Sequence, residues 1–272
     1  MTLAELVRLT FQEDLGPSGD LTSDSCVPAS ARGAGRIYSK QPLVVSGLEA
    51  AAECFAQMGV AFTPLVADGV SVDDRTDVAR IEGCLRDILK AERPALNFLM
   101  RLSGIATHTR SVVAAAEGKV RVVCTRKTTP LHRALEKAAV RHGGGHNHRH
   151  GLFDGVMIKD NHIIAAGGVA TAIAQARENI HHLVKIEVEV ENLEQLRVAI
   201  EGGADVILLD NMDDGTLAQA VAINNGRAVL EASGNMDAPR IAALKDHGLD
   251  VISVGGLIHQ ARWVDFSLRL DG

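Results

Sequence analysis

From residue 119 onward, apolar positions gather in short runs separated by longer amphipathic stretches. The runs are VRVVCT (120–125), GVMIK (155–159), VKIEVEV (184–190), DVILLD (205–210), AVLEAS (228–233) and VISVGG (251–256). Each predicts a strand. The stretches near 132–142, 168–179, 192–202, 214–224 and 237–247 predict helices. This alternation, with later strands starting roughly 20 to 30 residues apart, points to parallel strands joined by crossover helices. The strands number six, fewer than the full set of a (β/α)8 barrel. The expected architecture is therefore an incomplete, TIM-like α/β barrel, with a doubly wound open sheet as the alternative.

The first hundred residues read differently. An amphipathic helix covers the segment near 2–13 and ends at Gly16-Pro17. Segments 34–47 and 62–83 carry β-like runs, and 47–59 is helical in pattern. A long helical pattern runs from Arg93 to about Ala116, with a break expected at Ser103-Gly104. The division that follows is an N-terminal α/β domain over 1–106 and a barrel domain over 107–261. The tail 262–272 is a candidate to return to the first domain.

Composition narrows the function classes. The chain has 272 residues, with 28 Lys+Arg against 34 Asp+Glu and a net charge of −6. Such a chain has no general attraction to nucleic acid or to an anionic membrane. No run of about 18 apolar residues is present to span a bilayer, and the N-terminus lacks the pattern of a signal peptide. Aromatic residues are 3% of the chain, too few for base-stacking surfaces. Cys26, Cys54, Cys84 and Cys124 are widely spaced, which argues against a cysteine-built zinc or redox site and for a cytoplasmic protein with free thiols.

The chemistry collects at the ends of the predicted strands. The first ends in Thr125-Arg126-Lys127 and the second at Lys159, followed by Asp160, Asn161 and His162. The third carries Glu187 and Glu189, and the fourth ends in Asp210-Asn211. The fifth carries Glu231, Ser233 and Gly234, and the sixth ends in Gly255-Gly256. In α/β barrels the strand C-termini converge on one mouth, and polar residues in apolar strands are costly unless they face such a site. Between the first two strands lies HGGGHNHRH (142–150). Its histidines His146, His148 and His150 allow a metal-site reading, and hence a metal-dependent barrel hydrolase. The cations Arg126, Lys127, Arg149 and Lys159 favour a multiply charged anion instead. Glu189 and Asp210 suit Mg²⁺ or sugar hydroxyls, and the late glycines suit a phosphate. A phosphorylated sugar fits this mouth. A solvated basic loop and a non-catalytic carrier of the same ligand are the competing readings.

The stretches EDLGPSGDLTS (13–23), ERPALNFLMRLSGIAT (92–107), TRKTTP (125–130), GGGHNHRHGLFDGVMIKDNHI (143–163), IEVEVENL (186–193), ILLDN (207–211), EASGN (231–235) and ISVGGLIH (252–259) resemble quinolinate phosphoribosyltransferase, also called nicotinate-nucleotide pyrophosphorylase (carboxylating). The resemblance implies an N-terminal α/β sandwich joined to an incomplete barrel. The implied activity transfers phosphoribose from phosphoribosyl pyrophosphate to quinolinate with decarboxylation, a step of NAD biosynthesis. It also implies a homodimer in which Arg93 crosses to the partner's site. By matching position, Arg93, Arg126, His148 and Arg149 would grip the quinolinate carboxylates. Thr125 belongs to the same substrate-binding set, and Lys127 and Lys159 would contact carboxylate and phosphate. Glu189 and Asp210 would hold ribose hydroxyls and Mg²⁺. Ser233, Gly234, Gly255 and His259 would bind phosphates. The chain departs from the usual pattern at Cys124, Leu131-His132, His150 and Gly256. Those departures leave open a relative with altered substrate, such as the molybdate-transport-associated paralogue ModD.

Overall fold

A computed structural model describes residues 1–271. The chain folds as two compact units. One comprises Met1–Arg110, Thr129–Gly144 and the segment from Gln260 onward; the other comprises Ser111–Thr128 and Gly145–His259.

The first unit opens with α1 (Leu3–Leu15). Thr2 caps it, accepting the Glu5 backbone N–H while Glu5 returns a bond to the Thr2 backbone, so two of the helix's unpaired N–H groups are satisfied. The helix buries Leu6, Val7 and Phe11 and ends at Gly16, whose φ is +50°. Then come α2 (Leu21–Cys26), β1 (Arg32–Ser39), β2 (Leu43–Val44), α3 (Leu48–Gln57), β3 (Ala61–Pro64), β4 (Ser71–Val72), β5 (Asp77–Cys84) and α4 (Leu85–Ala114). Helix α4 corrects the sequence reading. It starts eight residues before Arg93 and continues through Ser103-Gly104 without a break. Pro94 mimics a helix start, because proline suits the first helical position, yet here it lies inside the helix. Gly104 is present for close packing: a Cβ there would fall 2.1 Å from the Arg262 carbonyl oxygen.

The second unit starts its sheet with β6 (Arg121–Val123). The chain then passes through α5 (Arg133–His142), which belongs to the first unit. It returns with β7 (Val156–Ile158), α6 (Asp160–Ala166), α7 (Val169–Asn179), β8 (Ile186–Val190), α8 (Leu193–Glu201), β9 (Val206–Asp210), α9 (Asp214–Asn224), β10 (Val229–Ser233), α10 (Ala238–Leu244), β11 (Val251–Ser253) and α11 (Gly256–His259). Strand β12 (Phe266–Leu270) rejoins the first unit, pairing antiparallel with β1 in a sheet of order β12-β1-β5-β3.

The six predicted barrel strands are all present, and every neighbouring pair is parallel. Their order is β6-β11-β10-β9-β8-β7. From β7 to β11 each strand lies beside the next in sequence. A doubly wound sheet would reverse direction at a switch point, and this one does not. Strands β6 and β7 are not paired with each other, which leaves an incomplete barrel. Its strands are anchored by fully buried Ile186, Val188, Val190, Ile207, Leu209, Ala232 and Ile252. These residues alternate along their strands and so line a single face of the sheet. Among the described residues, no helix is long and apolar enough to cross a membrane.

Candidate active site

Side chains of paired residues in neighbouring strands project from the same sheet face, and successive residues alternate faces. The register can therefore be followed across the second unit. Met157 pairs with Glu187, and Glu189 with Leu208. Leu208 pairs with Glu231, and Asp210 with Ser233. Glu231 pairs with Val251, and Ser253 with Val123. Glu187, Glu189, Asp210, Glu231, Ser233 and Ser253 thus share one face. Continuing the alternation past the strand ends adds Thr125, Lys159 and Gly255. Strand ends expected from the sequence to converge on one mouth are brought to one side of one sheet.

The loop between β6 and β7 is tied to that sheet by its backbone. His146 donates its N–H to the Val122 carbonyl, and Cys124 donates to the His146 carbonyl, both at 2.9 Å. Cys124 is buried, with Sγ 3.2 Å from Asn147 Oδ1, so it packs as the sequence suggested. Asp154 closes the loop by accepting the backbone N–H groups of His150 and Gly151 at 2.6 and 2.9 Å. His148 is drawn inward. Its Nε2 lies 3.0 Å from Glu187 Oε2 and 3.7 Å from Glu231 Oε2. Its Nδ1 accepts the Arg149 backbone N–H at 2.8 Å. His146, His148 and His150 do not converge on a common ion position. Among the described residues, the one histidine and carboxylate group close enough to share an ion is His148 with Glu187 and Glu231. The three-histidine metal reading finds no support: the loop exposes His146 and His150 and turns a half-buried His148 toward carboxylates.

The cations follow the strand ends. Arg149 donates Nη1 to the Gly155 carbonyl at 3.0 Å. Burial holds the Arg149 pKa below its ordinary value, and repulsion from nearby Arg126 adds to that shift. Two guanidinium groups held near each other suit an anion between them. Lys127 runs over Gly255: a Cβ on that glycine would lie 3.1 Å from Lys127 Cδ and 3.2 Å from Nζ. The missing side chain is what lets the lysine lie there. Lys159 is ion-paired to Glu189, and its backbone N–H is donated to His162 Nδ1 at 3.0 Å. This explains the spacing of the IKDNH motif. Asp210 accepts the Asn211 side-chain amide at 2.8 Å. Asn211 has φ +52°, a left-handed conformation that asparagine tolerates. Its side chain leans over Gly234, where a Cβ would meet Asn211 Oδ1 at 2.1 Å.

Two expected site residues are not on the strands of this sheet. Arg93 is exposed on α4 in the first unit, and His259 is exposed at the end of α11. Three contributors went unassigned in the sequence reading. Asn211 supports Asp210, and Glu187 and Glu231 engage His148. The available signal was a glutamate at the second or third position of an otherwise apolar strand. Burial and the negative charge of Glu187 push the Glu231 carboxyl up to about 7. Glu187 Oε1, Glu231 Oε1, Ser253 Oγ and Arg149 Nε are buried without a hydrogen-bond partner.

Comparison with known proteins identifies the family. The family model described as quinolinate phosphoribosyl transferase, C-terminal domain, matches residues 105–269, and its N-terminal counterpart matches 20–103. The chain is 40% identical to a probable nicotinate-nucleotide pyrophosphorylase (carboxylating) of Methanocaldococcus jannaschii, covering 98% of this chain and 96% of the relative. It is also 40% identical to the protein of the same description from Bacillus subtilis, covering 98% and 93%. The crystal structure of NadC from Streptococcus pyogenes superposes with a TM-score of 0.95 at 37% identity, covering 99% of this chain and 96% of that one. The chain belongs to the quinolinate phosphoribosyltransferase family.

Proposed function

We infer that the chain transfers a phosphoribosyl group from phosphoribosyl pyrophosphate to quinolinate with loss of carbon dioxide, yielding nicotinate mononucleotide and pyrophosphate. The observation that carries the reading is the shared sheet face, with Lys159, Glu189, Asp210, Ser233 and Gly255 at successive strand ends and Lys127 laid over Gly255. Quinolinate carries two carboxylates, and Arg126, Arg149, Lys127 and Lys159 supply the opposing charge. Thr125 completes that end, His148 supports it through its bond to the Arg149 backbone, and Ser233, Gly234, Gly255 and His259 take the phosphates.

The donor set fits Mg²⁺. Glu189 and Asp210 offer hard carboxylate oxygens from neighbouring strands, and Mg²⁺ is commonly held by one or two carboxylates plus substrate phosphates. Bound there, the ion would offset charge on the departing pyrophosphate. In the reaction, the pyridine nitrogen lone pair forms the bond to the anomeric carbon as the carbon–oxygen bond to pyrophosphate breaks, its electron pair leaving with oxygen. Holding both substrates in line supplies much of the rate, and Lys127 and Lys159 stabilise the negative charge that develops. The carboxylate next to the ring nitrogen then leaves as carbon dioxide. Its bonding pair stays on the ring carbon beside the cationic nitrogen and is quenched by a proton from water.

Arg93 is assigned to the site of a second copy in a homodimer, on the strength of the ERPALNFLMRLSGIAT match and its exposure. None of the four cysteines is in a disulfide, which supports a cytoplasmic setting. The test is to mix protein, quinolinate, phosphoribosyl pyrophosphate and Mg²⁺ and to measure nicotinate mononucleotide. Absence of product at any protein concentration overturns the assignment. Arg93→Ala and Lys159→Ala chains, each inactive alone, are expected to recover part of the activity when mixed. Failure to do so, with subunit exchange verified, removes the shared site.

A further inference from the structure

Glu187 and Glu231 are buried in the barrel, below the strand-end residues assigned to substrate. Carboxylates in such a place cost free energy unless they are bonded to something that needs them. Their shared neighbour is His148, and the geometry around that ring is specific. Nδ1 accepts the Arg149 backbone N–H, so Nδ1 holds a lone pair and no proton. The ring proton therefore sits on Nε2 and is donated to Glu187 at 3.0 Å, since a neutral imidazole has one donor and one acceptor. Glu231 stands 3.7 Å from the same nitrogen, beyond a hydrogen bond, on the side toward which Nε2–H points. Arg149 is fixed at both ends of this linkage: its N–H by His148 and its guanidinium by the Gly155 carbonyl.

The same three residues could be read as a metal site. A metal on Nε2 needs the lone pair there, which would put the ring proton on Nδ1, directly against the Arg149 N–H. The hydrogen-bond pattern therefore selects an organic linkage over a metal.

We propose that Glu187, backed by Glu231, is a positioning residue that acts through His148 to fix the Arg149 backbone and aim its guanidinium at the carboxylated substrate. The identity of that substrate rests on the functional reading above; the linkage itself does not. His148 then serves as a strut with both ring nitrogens committed, and it can touch substrate only by giving up one of these two bonds.

Two measurements test this. Histidine ¹⁵N spectra of the whole protein, with His148 assigned through His148→Gln, are expected to show an unprotonated Nδ1 and a protonated Nε2. An Nδ1–H ring, or a ring resonance moved by stoichiometric Zn²⁺, overturns the proposal. Calorimetric titration with quinolinate and, separately, phosphoribosyl pyrophosphate then compares wild type, Glu187→Leu and Glu187→Gln. Leucine is expected to weaken quinolinate about ten-fold or more, as loss of a charge-assisted hydrogen bond to a positioning residue does. It should leave phosphoribosyl pyrophosphate within about two-fold, while glutamine, which keeps an acceptor for Nε2–H, should restore quinolinate to within about three-fold. Equal weakening of both ligands, unchanged quinolinate binding in the leucine variant, or no rescue by glutamine overturns it. If Glu187→Leu does not fold, the spectrum of Glu187→Gln decides, since it must keep the wild-type ring tautomer. If wild type binds no quinolinate, the substrate assignment falls while the ring spectrum still judges the linkage.

Discussion

Replacing Glu231 by glutamine is expected to stabilise the protein above neutral pH and to change little near pH 5. Glu231 is 3% exposed. Burial first, and the charge of Glu187 second, raise its carboxyl from 4.5 to about 7, while His148, Ser253 and Lys159 pull the other way. In the unfolded chain the carboxyl ionises near 4.5; in the folded chain it holds its proton until about 7. Between those values the folded state binds more protons, so stability falls as pH rises. The loss is absent below 4.5 and complete above about 7. Moving a carboxyl over that interval corresponds to on the order of 3 kcal/mol. Glutamine has the same shape and no charge to bury, and its amide can donate toward Glu187 as the protonated acid would. At pH 8 the variant should gain most of that energy, a rise in Tm on the order of 5–10 °C for a chain of this size. At pH 5 the gain should be a small fraction of that. Thermal denaturation of both proteins at the two pH values is the assay. An equal shift at both, or a variant less stable than wild type at pH 8, refutes the reasoning.

Glu136, 1% exposed on α5, receives Arg101 Nη2 at 2.9 Å and the Thr129 N–H and hydroxyl at 2.8 Å each; Glu136→Ala should cost about 3–5 kcal/mol in denaturant unfolding, because it strands a half-buried arginine, and a loss below about 1 kcal/mol would show the pair to be dispensable. Gly234→Ala should keep the fold by circular dichroism yet lower turnover about ten-fold or more, since its new methyl displaces Asn211 and with it Asp210; normal turnover would mean that the Asp210 setting is not needed. Lys127→Ala should lower turnover about a hundred-fold, as loss of a preorganised positive charge at the leaving group does, and near-normal turnover would remove Lys127 from the site.

Much of the barrel was legible before any coordinates. Strand and helix periods depend on local backbone geometry, so the apolar runs at 184–190 and 205–210 located β8 and β9 to within two residues. Helix α4 was misplaced for an equally local reason. Pro94 carries the signal of a helix start, yet the helix runs back to Leu85, whose N–H is tied to the Ala31 carbonyl, a contact distant in sequence.

The chemistry divides along the same line. Lys127, Lys159, Glu189 and Asp210 were identifiable because charge at the end of an apolar strand has few reasons to exist other than a site. The single direction of strand order that makes an incomplete barrel, the return of β12 to β1, and the inward turn of His148 onto Glu187 could not be read the same way. Each depends on which segments meet across long stretches of chain, and no local period records that. The amino-acid sequence by itself determined the elements and the inventory of charged groups at their ends. Only the tertiary structure decided which of those groups face one another, because hydrogen-bond partners and burial are properties of neighbours in space.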